Sequence, residues 1–155
     1  MDKAIATINR VLALRLCRGE DIMGSIQKVC EEENINAGCI LSVVGSVQEA
    51  VFYDPRPDAS DPAGISYGNP LYVHYPAEVI SAHGEINILE DGTRSIHIHA
   101  SFADSQGNVK AGHLIGEGNK ALNTVNIFIG ILDDVDFGVK YDPVLQVPCF
   151  CPRQK

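Results

Sequence analysis

Residues 78–116 read EVISAHGEINILEDGTRSIHIHASFADSQGNVKAGHLIG and contain three segments of β-forming residues. Two turn sequences, EDG at 90–92 and DSQGN at 104–108, separate these segments. The stretch therefore predicts three consecutive antiparallel strands. Because side chains alternate between the two faces of a strand, we expect His97 and His99 to share one face.

The lengths of the two loops predict which residues pair across the strands. If EDG forms a three-residue hairpin loop, Glu85 pairs with His97 and His83 with His99. If DSQGN forms a five-residue loop, His99 pairs with His113. Both registers place the apolar residues of the strands on the opposite face, where they can be buried: Ile86, Ile96, Ile98 and Leu114. A two-residue DG turn would mix polar and apolar side chains on one face, so the hydrophobic pattern favours loops of odd length.

The predicted polar face collects four of the five histidines of the chain. One interpretation is an exposed sheet surface on which histidines are tolerated. The other is a metal site, because three imidazoles with one open position form a common catalytic zinc site. The predicted ligands are His97, His99 and His113. His83 or Glu85 could complete the coordination shell, orient a ligand or act as a base on bound water. Zinc is the first candidate, although imidazole also suits nickel, copper and iron.

The rest of the chain predicts further strands and one main helix. Helical spacing of apolar residues in GEDIMGSIQKVCEEENI (19–35) indicates the helix, and a second short helix is expected near 117–121. The proline-rich segment 54–70 is expected to be a long surface loop, a candidate lid or contact arm. The predicted fold is a single α+β domain over residues 1–155, built on a largely antiparallel sheet. The remaining strand segments are NRVLALRLCRG (9–19), GCILSVVGSV (38–47), EAVFYD (49–54), LYVHY (71–75) and NTVNIFIGIL (123–132), with Gly45 and Ser46 as a bulge or turn.

Charge and composition restrict the function. The formal net charge is −8, and no run rich in Lys or Arg occurs, so the surface is poorly matched to a phosphate backbone. The five cysteines have no disulfide-framework spacing, and the N-terminal sequence MDKAIATINR lacks the apolar core of a signal peptide. No apolar run approaches the roughly 20 residues that span a membrane. We therefore expect a cytoplasmic, reduced protein with no membrane partner.

Two other motifs are weaker candidates. The CFC sequence at 149–151 could bind metal, but two thiols near the chain end have no evident further ligands. The glycine-rich sequence GEGNK at 116–120 could cradle an anion, although an ordinary turn explains it as well. The chain contains neither a G-x-S-x-G motif nor a P-loop.

Four segments together resemble the PPC domain, the plant and prokaryote conserved domain, from about residue 10 to residue 132. They are LRLCRGEDI (14–22), AEVISAHGEINI (77–88), IHIHASFADSQGNVKAGHLIGEG (96–118) and NTVNIFIG (123–130). The resemblance implies an α+β domain that assembles as a homotrimer. It also implies that His97, His99 and His113 correspond to the H-x-H and G-H histidines of the family. The fold is similar to that of acetolactate decarboxylase, which binds zinc through an H-x-H sequence and a further histidine.

The resemblance leaves two functional classes open. Family members accompany AT-hook DNA-binding motifs in plants and stand alone in bacteria and archaea, which suggests a DNA-binding or regulatory protein. No Arg-Gly-Arg-Pro sequence occurs in this chain, so DNA binding is expected to be weak or indirect. The alternative is a metal-dependent enzyme, a lyase or hydrolase, acting on a small oxygenated molecule. Two departures from the family pattern are Ala111-Gly112 in place of a glycine pair, and Asn126 in place of an acid after Thr124 and Val125.

Overall fold

The computed structural model describes residues 1–74 and 76–155. It contains one α-helix, α1 (Ile22–Glu32). The strands in chain order are β1 (Ile8–Cys17), β2 (Gly38–Tyr53), β3 (Pro55–Pro57), β4 (Ile65–Tyr67), β5 (Leu71–Val73), β6 (Ala77–Ile88), β7 (Arg94–Asp104), β8 (Val109–Leu114), β9 (Lys120–Leu132), β10 (Val135–Asp142) and β11 (Val147–Gln154). This single α+β domain with one main helix confirms the predicted fold class.

The main sheet has the strand order β1-β9-β2-β8-β7-β6-β10-β11. Its pairings are antiparallel, apart from a single parallel pair between Gly138 of β10 and Ile88 of β6. The long strand β2 pairs with β8 at its end, and with β6 in two stretches, at residues 38–40 and 46–47. As a result, β2, β8, β7 and β6 close into a small barrel, and its outer wall carries the predicted histidine face.

The helix begins where the sequence predicts it. The Asp21 side chain caps its N-terminus by accepting a hydrogen bond from the Gly24 backbone N–H at 2.9 Å. Its buried residues are Ile22, Ile26 and Cys30, which pack into the main core. That core also contains the inner residues of the three histidine-bearing strands, with Ile86, Ile98 and Leu114 no more than 2% exposed.

The structure confirms the bulge alternative at Gly45 and Ser46 and contradicts the short helix expected near 117–121. The segments 38–47 and 49–54 form one continuous strand, β2, because Gly45 adopts φ 146° at a register shift and so absorbs the irregularity as a bulge. A helix near 117–121 is not formed, since β9 already begins at Lys120. The preceding loop is held open by Asp21, whose carboxylate accepts hydrogen bonds from the backbone N–H groups of Gly118 and Asn119, each at 2.8 Å.

The chain end contains a hairpin that the sequence did not indicate. Strands β10 and β11 pair antiparallel over their full length, and Phe137 packs edge-on against Phe150 with ring centroids 4.9 Å apart. Pro148 and Pro152 make β11 hard to recognise as a strand from the sequence. An edge strand tolerates proline, because one side of its backbone needs no hydrogen-bond partner. The CFC sequence therefore lies on a strand, not on a free tail.

Segment 54–70 contains a small separate hairpin, in which β3 pairs with β4 through Arg56 and Ser66. The predicted strand LYVHY is formed at Leu71–Val73, and its last residue, Tyr75, lies outside the described residues. In the described part of the chain, no helix combines the length and the apolar character needed to cross a membrane.

Candidate metal centre

The three histidine-bearing strands have the predicted register. Glu85 pairs with His97 and His83 with His99 across β6 and β7. His99 in turn pairs with His113 across β7 and β8. These pairings confirm that the histidines form a row on the outer face of the barrel, opposite the buried apolar residues.

The two hairpin loops set this register. Leu89 donates a backbone hydrogen bond to Thr93 at 2.8 Å, which leaves the three-residue loop EDG with Gly92 in the left-handed region at φ 84°. At the second turn the Asp104 N–H donates to the Asn108 carbonyl at 3.0 Å, so this loop is two residues shorter than expected. Because the loop length stays odd, the predicted pairing of Ala103 with Val109 is unchanged.

Three imidazoles converge above the sheet. One ring nitrogen from each of His97, His99 and His113 lies within 4.8 Å of the other two, and this is the one such group among the described residues. The two Nε2 atoms of His97 and His99 are 3.0 Å apart. Zinc–nitrogen bonds of about 2.0–2.1 Å would place two nitrogens of a tetrahedral site about 3.3 Å apart. The His97–His99 pair therefore has nearly the spacing of two zinc ligands, and the His113 nitrogen lies within 4.8 Å of both. All three are ligands of a type that zinc prefers.

Glu85 orients one of these rings. Its Oε1 lies 2.9 Å from Nδ1 of His97. An ionised carboxylate only accepts hydrogen bonds, so Nδ1 donates, and the lone pair of Nε2 faces the other two imidazoles. A carboxylate that fixes a metal-binding histidine in this way is the usual outer partner of a zinc ligand. Of the two candidates for an accessory role, Glu85 is the one that hydrogen-bonds to a member of the cluster among the described residues.

Two histidines of the cluster have pKa values shifted in opposite directions. The hydrogen bond with Glu85 raises the pKa of His97, although burial opposes this shift. Burial lowers the pKa of His113, and the charges of His97 and His99 lower it further. The same hydrogen bond from His97 is the main cause of the lowered pKa of the Glu85 carboxyl. Near neutral pH, Glu85 is therefore ionised and His113 is neutral, the form that binds metal.

The two remaining histidines lie apart from the cluster. His83 pairs with His99 but does not belong to the group of converging nitrogens. It lines an open cavity of ≈370 Å³ that borders the cluster at His99 and is otherwise lined mainly by small and polar residues: Asp54, Ser81, Ala100, Ser101, Ala111 and Gly112. His74 stacks on Tyr72, with ring centroids 5.1 Å apart and an interplanar angle of 11°.

The weaker sequence candidates have structural explanations. The GEGNK loop does cradle an anion, but that anion is the carboxylate of Asp21 in the same chain. Cys149 and Cys151 belong to none of the metal-sized clusters of His, Cys, Asp or Glu in the described part of the chain.

Sequence reasoning missed two neighbours of Glu85. Cys39 of β2 pairs with Glu85 across β2 and β6, and burial raises the pKa of its thiol, with the charge of Glu85 adding to the rise. Asn87 lies two residues beyond Glu85 on β6 and is only 2% exposed. The alternation along β6 placed Asn87 on the polar face, but nothing in the sequence indicated that it would be buried there.

Comparison with known proteins assigns the family. The sequence pattern of the Plants and Prokaryotes Conserved (PCC) domain matches residues 4–133. The chain therefore belongs to this family, as its resemblance to the PPC domain predicted.

Two solved structures have the same fold. A metal-containing protein from Archaeoglobus fulgidus superposes with a TM-score of 0.82 at 22% identity, covering 97% of this chain and 99% of that one. A protein from Ralstonia eutropha JMP134 that is provisionally described as DNA-binding superposes with a TM-score of 0.72 at 19% identity, covering 89% and 88%. At these identities the likeness establishes the fold alone.

A relative in sequence is much longer. The chain is 29% identical over 105 residues to the bifunctional protein GlmU of Synechococcus sp. (strain JA-3-3Ab). The match covers 68% of this chain and 14% of that protein. The chain therefore corresponds to a small part of the length of this curated relative.

Proposed function

We propose that this protein binds one divalent metal ion per chain, zinc first among the candidates, through His97, His99 and His113. The observation that carries the proposal is the convergence of three imidazole nitrogens within 4.8 Å of one another. The hydrogen bond from His97 Nδ1 to Glu85 supports it, because it leaves Nε2 free to act as a ligand. The metal-containing relative from Archaeoglobus fulgidus agrees with this proposal.

A metal held by three imidazoles would supply a Lewis-acid position open to a small oxygenated ligand. The chain's own residues would orient that ligand. The cavity at His99 extends away from the cluster and offers the hydroxyl groups of Ser81 and Ser101, the carboxylate of Asp54 and the imidazole of His83. This cavity favours a small-molecule partner, and it is the observation that keeps a metal-dependent lyase or hydrolase as the second candidate function.

We propose a regulatory role, with the metal site as a sensor or structural element, as the first functional class. The segment of GlmU to which this chain is similar spans 14% of that protein. A regulatory domain attached to a larger protein would give a match of this kind. Direct DNA binding would be weak, because three chains at −8 each would carry a net charge of about −24. We expect duplex DNA to bind no tighter than the micromolar range at physiological salt, measured by fluorescence anisotropy. A nanomolar, sequence-selective complex would instead establish a direct regulator of DNA.

Homotrimeric assembly in the cytoplasm completes the proposal. The outer face of β1, β9 and β2 carries exposed apolar side chains, among them Val11, Val44 and Phe128 at 55%, 55% and 40% exposure. Gly130 brings Ile8 and Leu41 together on the same face. An apolar surface of this kind favours a subunit interface. Sedimentation of a 16.8 kDa monomer at micromolar concentration would contradict the trimer.

Elemental analysis of the untagged protein, purified without chelator, tests the metal proposal. We expect about one metal ion per chain, and loss of stoichiometric metal in H97A, H99A and H113A, because two imidazoles hold zinc weakly. H74A is the matched control, since His74 stacks on Tyr72 away from the cluster and should leave the metal content unchanged. Replacing a residue that hydrogen-bonds to a metal-binding histidine typically weakens metal affinity at least roughly 10-fold. We expect H83A to weaken zinc affinity by less than this. A wild-type protein that takes up no zinc, nickel or iron would overturn the proposal.

A further inference from the structure

The cavity beside the metal centre follows two rows of side chains on the outer face of the barrel. His83 pairs with His99 in the first row, and Ser81 pairs with Ser101 in the second. These side chains share one face, because residues two apart on a strand point to the same side of the sheet. The cavity of ≈370 Å³ therefore begins at a proposed metal ligand, His99, and continues over two hydroxyl groups.

A glycine on β8 makes room for a carboxylate at this cavity. A Cβ at Gly112 would lie 2.6 Å from Oδ1 of Asp54, closer than real Cβ atoms come to other atoms, and would also collide with the ring of Phe52. Gly112 therefore permits both the packing of Phe52 and the close approach of Asp54 to β8. The neighbouring lining residues Ala100 and Ala111 are also small, so they leave the cavity open.

The charge at the cavity comes from Asp54. Its carboxylate is in none of the salt bridges formed within residues 1–74 and 76–155. No lysine or arginine lines the cavity in the described part of the chain. A phosphate or carboxylate at this end would meet a like charge without a compensating cation. A positively charged ligand is disfavoured from the other end, where the histidines are proposed to hold a divalent ion. Electrostatics therefore favour a neutral ligand.

The polar groups of the lining favour a ligand rich in hydroxyl groups. An ionised carboxylate only accepts hydrogen bonds, whereas a serine hydroxyl both donates and accepts, and a neutral imidazole donates with one nitrogen and accepts with the other. A ligand hydroxyl matches all three, because it can donate to one group and accept from another. Among the described lining residues there is no long aliphatic side chain and no aromatic one other than histidine, so an apolar ligand would find little to pack against.

We propose that this cavity binds a small neutral polyol or sugar. One hydroxyl of the ligand donates to the Asp54 carboxylate, and others exchange hydrogen bonds with Ser81 and Ser101. The cavity volume lies near the lower end of the roughly 300–1,000 Å³ that small-molecule sites occupy, so the ligand is small. This inference rests on the proposed function, because it names the ligand class of the cavity that borders the proposed metal site.

Binding of xylitol and xylonate to the metal-free protein tests the ligand class. The two probes have the same number of carbon atoms, but xylonate carries a carboxylate. We expect xylitol to shift the backbone NMR signals of Ser81, Ser101 and Gly112 with a Kd in the millimolar range, because each new hydrogen bond replaces one to water. Xylonate should bind at least about fivefold more weakly, because Asp54 repels it. Equal or tighter binding of xylonate would overturn the proposal.

The isosteric variant D54N tests the role of the carboxylate. Xylitol should bind at least about fivefold more weakly, because a hydrogen bond to a charged acceptor is lost. Xylonate should then bind within about twofold of xylitol, because the repulsion is removed. A purely structural role for Asp54 would instead weaken both probes alike and preserve the preference for xylitol.

A second variant and a matched control accompany D54N. S101A removes a hydroxyl group of the cavity, and we expect it to weaken xylitol binding by about two- to tenfold. E32Q removes a carboxylate that pairs with Lys28 on α1 and does not line the cavity. It changes the net charge as D54N does, and it should leave the binding of both probes unchanged.

The outcomes separate this inference from the proposed metal binding. If the wild type binds zinc but xylitol shifts no signals at the cavity, in either the metal-free or the zinc-loaded form, the ligand class alone is wrong. If D54N binds xylitol as tightly as the wild type, the ligand class is also wrong. A wild type that takes up no metal but binds xylitol, with the expected loss in D54N, contradicts the metal proposal and supports the ligand class.

Discussion

Two buried asparagines show how differently this protein satisfies its polar groups. Asn119, which is 0% exposed, uses both ends of its amide. Its Oδ1 accepts from the Val51 backbone N–H at 3.0 Å, and its Nδ2 donates to the Ile115 carbonyl at 3.0 Å. Beside it, the carboxylate of Asp21 accepts three backbone hydrogen bonds. This network closes on itself and ties the start of α1 to β2 and β9.

The network around Asn87 does not close. Asn87 Oδ1 has no partner, and the Nε2 atoms of His97 and His99 face each other at 3.0 Å with His113 alongside. Polar groups in the first network satisfy one another, whereas the second leaves one buried oxygen without a partner and brings three imidazole nitrogens close together. The first network therefore stabilises the fold, and the second has the open valences that the proposed metal site requires.

The largest expected effect comes from breaking the closed network. N119L leaves the Val51 N–H and the Ile115 carbonyl unpaired inside the protein, at about 1–3 kcal/mol each. We therefore expect the free energy of unfolding of the metal-free protein to fall by about 2–6 kcal/mol in urea titrations. Zinc affinity of the folded protein should stay within about twofold of the wild type. A stability loss below about 0.5 kcal/mol would mean that the hydrogen bonds of Asn119 do not stabilise the fold.

Adding metal should stabilise the protein through the open network alone. At a free zinc concentration of 100 times Kd, binding to the native state raises the free energy of unfolding by about 2.7 kcal/mol. The same zinc concentration should leave H113A unchanged, because one of the three convergent nitrogens is missing. Chemical unfolding with and without zinc measures both values. Equal stabilisation of H113A would place the bound metal elsewhere.

The smallest expected effect is a pH dependence of the metal-free protein. The raised pKa of His97 contributes stability that is present below the unfolded pKa of about 6.5 and is lost as pH rises through the folded value. The lowered pKa of His113 does the opposite, so its contribution is present above about 6.5 and is lost as pH falls. In the wild type the two contributions oppose each other between pH 7 and 5.

E85Q removes the negative charge of the group that accepts from Nδ1 of His97. A neutral acceptor raises the pKa of His97 less, so the contribution of His113 is less strongly opposed. We expect metal-free E85Q to lose more stability than the wild type between pH 7 and 5. The difference should be below about 1 kcal/mol, because His97 is partly exposed. Urea unfolding in the presence of chelator at each pH measures it. Parallel pH profiles for the two proteins would mean that Glu85 does not control the protonation of His97.

Much of the fold could be predicted from local patterns. The alternation in β6, β7 and β8 and the odd loops between them give the observed pairing, since a one-residue shift would bury the polar face. The C-terminal hairpin could not be predicted, because β11 contains two prolines and packs at an edge through Phe150. The absence of a helix near 117–121 depends on Asp21, which lies far away in the sequence.

The sequence by itself determined which side chains of the candidate site share a face: His83, Glu85, His97, His99 and His113. The period of two along a strand and the parity of a loop are local properties, so they can be read without the rest of the chain. Only the tertiary structure decided that Glu85 contacts His97, that His83 stays outside the cluster, and that Cys39 and Asn87 flank Glu85. These contacts depend on how β2 closes against β6 and on how deeply each side chain is buried, which are properties of the assembled barrel.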